Sequence, residues 1–388
     1  MDLEEKKRWV AFNVFEGIGP ARFKLLLDYF GSAKKAFDAP EKELREIGLG
    51  EKLVLRFINF RKSFDIDSYF LRLRKLEIEI LCDDEENYPK LLKEINDKPP
   101  VIYVKSTASI KNITSLGQSF TKQARIGNIF GRKAVAVVGT RKVTGYGRQV
   151  TAMITEGLVA VGLAIVSGLA RGVDEIAHET AIDNNGITIA VLGCGLDIVY
   201  PREHKKLAER IVESGGAIIS EFPLGRQAVP GNFPARNRII SGLCLGVVVT
   251  EAAQDSGSLI TASAAAEQGR EVFAVPGPIT SPLSGGTSEL IKKGAKLVSE
   301  VADILEELGL ESRSGRSSFA PAFGGTAEGQ NFSLEEKKII EILENENLHI
   351  DEIVRKTGMD SGKIGSLLSI LEIKGIIKNF GEGVYGLK

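Results

Sequence analysis

Several short segments of this chain combine small residues with cations in a way that suits phosphate. They read Gly139-Thr140-Arg141, Ser167-Gly168-Leu169-Ala170-Arg171-Gly172, Gly193-Cys194-Gly195, YPREHKK (200–206) and PGNFPARNRIIS (230–241). A guanidinium is a planar fork that donates two hydrogen bonds at once, so Arg141, Arg171, Arg202, Arg236 and Arg238 are candidate phosphate contacts, with Lys205 as a further cation. Glycine at Gly139, Gly168 and Gly195 lets a ligand approach the backbone. Phe233 and Tyr200 stand close to arginines, and aromatics beside cations suit stacking on unpaired bases. Taken singly, each arginine also reads as a solvated surface charge, and Tyr200 as a core residue closing a strand end. The Pro, Gly and Asn around Arg236, Asn237 and Arg238 specify a fixed loop.

Catalysis finds fewer footholds. Glu251 or Glu289 acts as an acid or base only if held near a scissile bond, and no paired carboxylates stand at an interpretable spacing. His178 has no visible Ser or Asp partner and reads as a helix-face residue. Cys194 reads as a small packing residue. A dinucleotide site needs GxGxxG directly after the first strand. Here GTRKVTGYG (139–147) has the wrong spacing, and the next strand ends at Ser167 where an acidic residue would hold a ribose. There is no Walker A motif. The three cysteines (Cys82, Cys194, Cys244) are far apart, so neither a zinc site nor a disulfide framework is expected, and no cofactor.

The elements that must position these residues are legible. Short apolar, β-branched runs occur at Ala134–Val138, Leu163–Val166, Ile187–Leu192, Ala217–Ile219, Val247–Val249 and Val272–Val275. Strands buried on both faces of a parallel sheet look like this. Helical patterns such as Asp174–Ile182 and Glu203–Glu213 separate most of them, which predicts repeated βαβ units and a doubly wound sheet. In such a sheet the small-residue segments all fall at the C-terminal ends of strands. They therefore share one edge, where ligands bind at the switch point and helix N-termini favour anions.

The chain has 388 residues, 43% apolar and 26% charged, with a net charge of −1. That balance argues against bulk attraction to a polyanion, so a nucleic-acid site must be a local basic pocket. The N-terminal MDLEEKKRWV has no apolar signal core and no run approaches a membrane span, so a cytoplasmic protein is expected.

GTRKVTGYG, SGLARGVDEIAH, VLGCGLDIVYPREH, SEFPLG, FPARNRIISGL, TEAAQDSGSLITASAAAEQGREVFAVPG and GTSELIKKGA, in this order over about residues 68–300, resemble the DNA-processing protein A family (DprA/Smf). The resemblance implies an extended Rossmann-like doubly wound parallel sheet that binds single-stranded DNA. It also implies a homodimer, and loading of the RecA recombinase onto strands protected by single-strand-binding protein, best known in natural transformation. By motif, Arg141 and the basic residues after Tyr200-Pro201 contact phosphates and the FPARNR segment completes the pocket. Ser256, Ser258 and Thr261 lie in SGSLITA, where hydroxyls and amides at a helix start hold another phosphate or simply cap the helix. The stretch 106–133 looks longer than the family's usual connection and is locally basic (Lys111, Lys122, Arg125, Arg132, Lys133). It reads as a neutral insertion ahead of an extension of the DNA track. The rival reading is a Rossmann-like nucleotide or nucleoside-monophosphate hydrolase. Related enzymes use a compact Pro-Gly-Gly-x-Gly-Thr motif, but here Pro276-Gly277 and Gly285-Gly286-Thr287 are apart.

Four regions follow: a helical domain (1–66), the Rossmann-like domain (67–308), a Ser/Gly/Ala-rich linker (309–331) and a C-terminal domain (332–388). FEGIGPARFKLLLDYFGS (15–32) and IGLGEKLVLRFINF (47–60) each place Gly-x-Gly before a helix, which fits helix-hairpin-helix and sterile-alpha-motif-like bundles equally. The C-terminal pattern is a winged helix, with helices Leu334–Leu343, Ile350–Thr357 and Ser361–Lys374 and a wing around Gly381–Gly383. Ten acidic residues against eight basic ones from Leu334 onward argue against duplex binding and for a partner-binding or structural role.

Overall fold

The computed structural model describes residues 1–107, 129–310, 334–343, 346–373, 376–379, 381 and 383–387. The basic stretch 106–133 and the linker 309–331 lie largely outside the described residues. The chain divides into two units, Met1–Arg313 and Ser314–Lys388.

The first unit is organised by a sheet of strands β1 Ile78–Cys82, β2 Val101–Ser106, β3 Ala134–Val138, β4 Ala164–Ser167, β5 Thr188–Val191, β6 Ala217–Ser220, β7 Gly246–Val249, β8 Glu271–Ala274 and β9 Lys296–Leu297. Their order is β1-β2-β6-β5-β4-β3-β7-β8-β9. From β3 the chain winds outward through β4, β5 and β6, then returns to place β7 on the other side of β3. Strands β3 to β9 are parallel. The sheet is extended past β6 by two antiparallel strands, with Tyr103 of β2 opposite Ser220 and Ile80 of β1 opposite Tyr103.

Alternation along β3 explains the winding. Val135 and Val137 pack against Val150, Ile154 and Leu158 of the helix Gly145–Ala160 and Val173 and Ala177 of the helix Val173–Asp183. Ala136 and Val138 face the opposite core, with Ile239 and Ile240 of the helix Asn232–Gly242 and Ala262 and Ala265 of the helix Ser258–Glu267. Side chains of successive strand residues point to opposite faces, so a fully apolar strand needs helical cover on both.

The helical region 1–66 carries two helix-turn-helix hairpins, Leu3–Val14 with Pro20–Phe30 and Glu41–Glu46 with Glu51–Ser63. Their aromatic core of Trp9, Phe12, Phe23 and Phe57 is continuous with Tyr103, Leu192, Cys194 and Leu196 beside the sheet. Tyr103 donates its hydroxyl proton to Asn13 Oδ1 at 2.8 Å, and Asn13 Nδ2 donates to the Glu221 carbonyl at 3.1 Å. The boundary near residue 66 is thus a change of architecture within one packed unit.

In the second unit the helices Leu334–Leu343, Ile350–Thr357 and Ser361–Ile373 pack around Ile339, Ile353, Ile364 and Leu368, beside a three-stranded sheet that includes Ile377–Asn379 and Val384–Leu387. This is a winged helix. Lys363 on its third helix is tied to Glu335, and Lys356 to Glu346 at 2.6 Å. No helix among the described residues is long and apolar enough to cross a membrane.

Candidate nucleic-acid interface

The reversal of strand order between β3 and β7 opens a crevice at the C-terminal edge of the sheet. A cleft of about 630 Å³ occupies it, lined by Gly139–Lys142, Phe233, Arg236, Asn237, Asp255–Ser258, Ile260 and Thr261, among others.

The cleft's floor is a buried polar network. Arg236 is only 4% exposed. Its guanidinium donates to the carbonyls of Gly168, at 2.5 Å, and Val191, and its Nε donates to Asn237 Oδ1 at 3.1 Å. Burial lowers the pKa of Arg236, and the nearby Asp174 carboxylate works against that. Asp174 is buried too. Its Oδ2 accepts the amides of Gly168 and Ala170, both at 3.2 Å. Burial raises its pKa, while Arg236 and those amides hold it down. A side chain on Gly168 would sit 2.3 Å from the Arg236 guanidinium, so glycine there makes room for that cation. Gly172, at φ +81°, lies against the Thr140 carbonyl, where a Cβ would approach to 2.4 Å. Ser167 donates to the Val137 carbonyl at 2.7 Å and is fully buried, so it cross-links strands and does not reach the cleft. Gly139 and Thr140 are fixed by the Thr140 amide donating to the Glu251 carbonyl at 2.7 Å.

The rim is different. Arg141 is exposed, and its guanidinium carbon lies 5.5 Å from the centre of the Phe233 ring. Phe233 in turn lies 5.6 Å from Tyr200, the rings inclined at 43°. Tyr200 is 46% exposed and leads into Arg202 and Lys205, both exposed. Arg141, Lys142, Arg202 and Lys205 have no carboxylate partner among the described residues. Two aromatic rings therefore lie next to Arg141, and the chain continues from the second of them into Arg202 and Lys205. On the opposite wall Asn237 Nδ2 donates to the Gly257 carbonyl at 3.2 Å, and the Ser256 and Ser258 hydroxyls meet at 2.8 Å at the start of the helix that carries Thr261.

Some expected site residues are not brought together. The segment holding Arg236, Asn237 and Arg238 is helical, and this corrects its reading as a fixed loop. Two residues along a helix turn through about 200°, so Arg236 and Arg238 point opposite ways. Arg238 pairs with Glu221 at 2.5 Å and Asp97 at 3.0 Å, outside the cleft. Gly195 packs against the Pro223 carbonyl and is not a cleft residue. Arg171 adjoins the rim through Gly172, but its exposed side chain is paired with Glu203. Sequence reasoning missed Lys142, which stands beside Arg141 and lines the cleft. It also missed Asp174, whose buried position opposite Arg236 no local pattern reveals.

The groups weighed for catalysis lie elsewhere. Glu251 accepts the Thr144 amide at 2.9 Å and its hydroxyl at 2.5 Å, at the start of the helix Gly145–Ala160. Glu289 pairs with Lys293, the residue that caps its helix Gly285–Lys292. The Cys194 thiol donates to the Ile198 carbonyl at 3.2 Å, and burial pushes it up to about 11. None of the three lines the cleft.

His178 is buried as well. Thr188 gives its hydroxyl proton to the Ile165 carbonyl at 3.0 Å, so His178 Nδ1–H donates to Thr188 Oγ1 at 2.6 Å, and Nε2 is buried without a partner. Burial pushes its pKa down to about 3, helped by His204 and Arg236. In the unfolded chain the imidazole takes up a proton near pH 6.5. Its depressed native pKa thus gives stability that is complete above that pH and falls as pH drops toward 3, by about 1.4 kcal/mol per unit. Urea unfolding of His178→Asn is expected to show a shallower loss of stability between pH 6 and 4 than the unsubstituted chain. Parallel acid limbs would contradict the assignment.

A doubly wound sheet with a basic, aromatic-rimmed cleft at its reversal, accompanied by a winged helix, defines a Rossmann-like protein with a separate winged-helix module. Residues 126–309 match the family described as DNA recombination-mediator protein A, and residues 327–380 match the DprA winged helix domain. Protein Smf of Escherichia coli (strain K12) is 38% identical over 340 residues, 86% of this chain and 84% of that protein. Protein Smf of Synechocystis sp. is 34% identical over 403 residues, 97% of each. The X-ray structure of DNA processing protein A from Streptococcus pneumoniae superposes with a TM-score of 0.64 at 33% identity, covering 79% of this chain and 98% of that one. The chain belongs to the DNA-processing protein A (DprA/Smf) family.

Proposed function

We propose that this protein binds single-stranded DNA along the cleft rim and mediates loading of the RecA recombinase onto it, without catalysis of its own. The observation that carries the reading is the succession Lys142–Arg141–Phe233–Tyr200–Arg202–Lys205, two rings flanked by pairs of cations, in a chain with a net charge of −1. Unpaired cations hold a phosphate backbone, and the exposed Tyr200 and half-buried Phe233 rings between them stack on bases that no complementary strand covers. The family description as a recombination mediator supports the same direction. A homodimer working in the cytoplasm, with RecA and single-strand-binding protein as partners, completes the proposal. With Lys363 and Lys356 of the winged helix neutralised by carboxylates, that module is assigned to a protein partner or a structural role, not to duplex reading.

Fluorescence anisotropy with labelled single-stranded and duplex oligomers tests the binding step. Four free cations predict that log K falls with log salt at a slope of about −3 for single strands. Duplex binding is expected to be much weaker. A salt-insensitive complex, or equal affinity for duplex, overturns the proposal.

A further inference from the structure

Resting on the reading of the rim as a phosphate track, we propose that Glu203 is a counter-ion within the site, holding Arg171 away from DNA phosphates and limiting the affinity of the track. Arg171 belongs to the track by position. Gly172, its neighbour, packs against the backbone of Thr140 and Arg141, so Arg171 stands beside the principal exposed arginine of the rim. Its side chain is 65% exposed, yet its Nε donates to Glu203 Oε1 at 2.6 Å. Glu203 lies on the single turn Arg202–His204, between two cations that have no partner among the described residues, Arg202 and Lys205.

The pairing is fixed from both sides. His204, next to Glu203, donates its Nδ1–H to the Leu169 carbonyl at 2.9 Å, and Leu169 is two residues before Arg171. The loop 168–172 is also anchored by its amides to Asp174. Two backbone segments stitched together this closely hold the facing side chains in register, unlike a chance meeting of two long surface residues. A carboxylate and a phosphodiester present similar oxygen pairs to the same guanidinium fork, so they compete for Arg171. An exposed ion pair is weak enough for a phosphate to displace it. Glu203 also lowers the net positive charge of the track by one unit. Together these effects let a strand bind and leave again, as a protein that hands DNA to a partner requires.

The test compares the full-length protein with Glu203→Gln, which keeps the shape and removes the charge, in anisotropy titrations with a single-stranded oligomer. E203Q is expected to bind about three- to tenfold tighter at 50 mM salt, with a salt slope steeper by about 0.7, as one added phosphate contact predicts. The gain should vanish in the E203Q/R171A double variant. Glu209→Gln, on the following exposed helix face, removes the same charge outside the track and should leave affinity unchanged. E203Q binding no tighter than wild type, or equally tighter with and without Arg171, overturns the inference. If instead the wild type fails to bind single strands, or Arg141→Ala binds as well as wild type, the phosphate-track reading falls and this inference with it.

Discussion

Replacing Arg236 by alanine is expected to destabilise the first unit by about 3–5 kcal/mol, the order of cost of leaving a buried charge without its nearby counter-charge. Three losses combine in that figure. Asp174 is left as a buried carboxylate without its cation. The carbonyls of Gly168 and Val191 lose their donor in the interior, and an unsatisfied buried polar group is costly by itself. The space in front of Gly168 then stands empty. Urea or thermal unfolding measures the loss. Lysine at the same place carries charge but cannot donate along the divergent directions of the guanidinium, so Arg236→Lys should recover only part of it. The double variant R236M/D174N removes both charges and should be more stable than R236A, since the unpaired carboxylate is the most expensive part. This outcome separates two roles for Arg236. A variant that unfolds easily marks a residue shaping the loop 168–172. An R236A protein of unchanged stability that no longer binds DNA would make Arg236 a direct phosphate contact and refute the structural assignment.

The Arg236 case also shows what was legible in the sequence. Strand positions were readable where a strand buried on both faces must be apolar throughout: Ala134–Val138 is found unchanged, the other five predicted strands shift by a residue or so at their ends, and the two-residue parallel strand β9 Lys296–Leu297 was too short to carry a pattern. The winged-helix elements were readable for a similar reason, since helical periodicity and the glycines Gly381 and Gly383 bracket them. The clustering of Gly139, Thr140 and Arg141 with Phe233 followed from topology, because strand ends in a parallel sheet share an edge. Direction was not readable for β1 and β2, whose antiparallel pairing depends on partners far away in sequence. Nor was the fate of individual cations. Arg141, Arg171, Arg236 and Arg238 look alike in sequence, yet one is free, one is paired at the surface, one is buried, and one faces another side of its helix. The local turn chemistry of PGNFPARNR suggested a loop, and tertiary packing of Ile239 and Ile240 into the core made it a helix.

Arg141→Ala and Phe233→Ala are expected to weaken single-strand binding by different routes, and the difference makes them diagnostic. Arg141 contributes a free charge, so its loss should weaken binding most at low salt and make the salt slope shallower by about 0.7. Phe233 contributes a stacking face. Its loss should cost about 1–3 kcal/mol, roughly 5- to 150-fold in affinity, with a smaller change of slope. The two are coupled, because Phe233 supports the Arg141 guanidinium from 5.5 Å and touches Tyr200 on its other flank. Removing the ring frees Arg141 to sample other rotamers, which lowers its contribution as well. The double variant should therefore lose less than the sum of the single losses, by about 0.5–1 kcal/mol, in the range of a cation–π contact at an exposed site. Strict additivity in anisotropy titrations would mean that ring and cation act on separate parts of the strand. Unchanged affinity in F233A with a large loss in R141A would leave a purely electrostatic track, and such a track has no physical reason to prefer single strands over duplex.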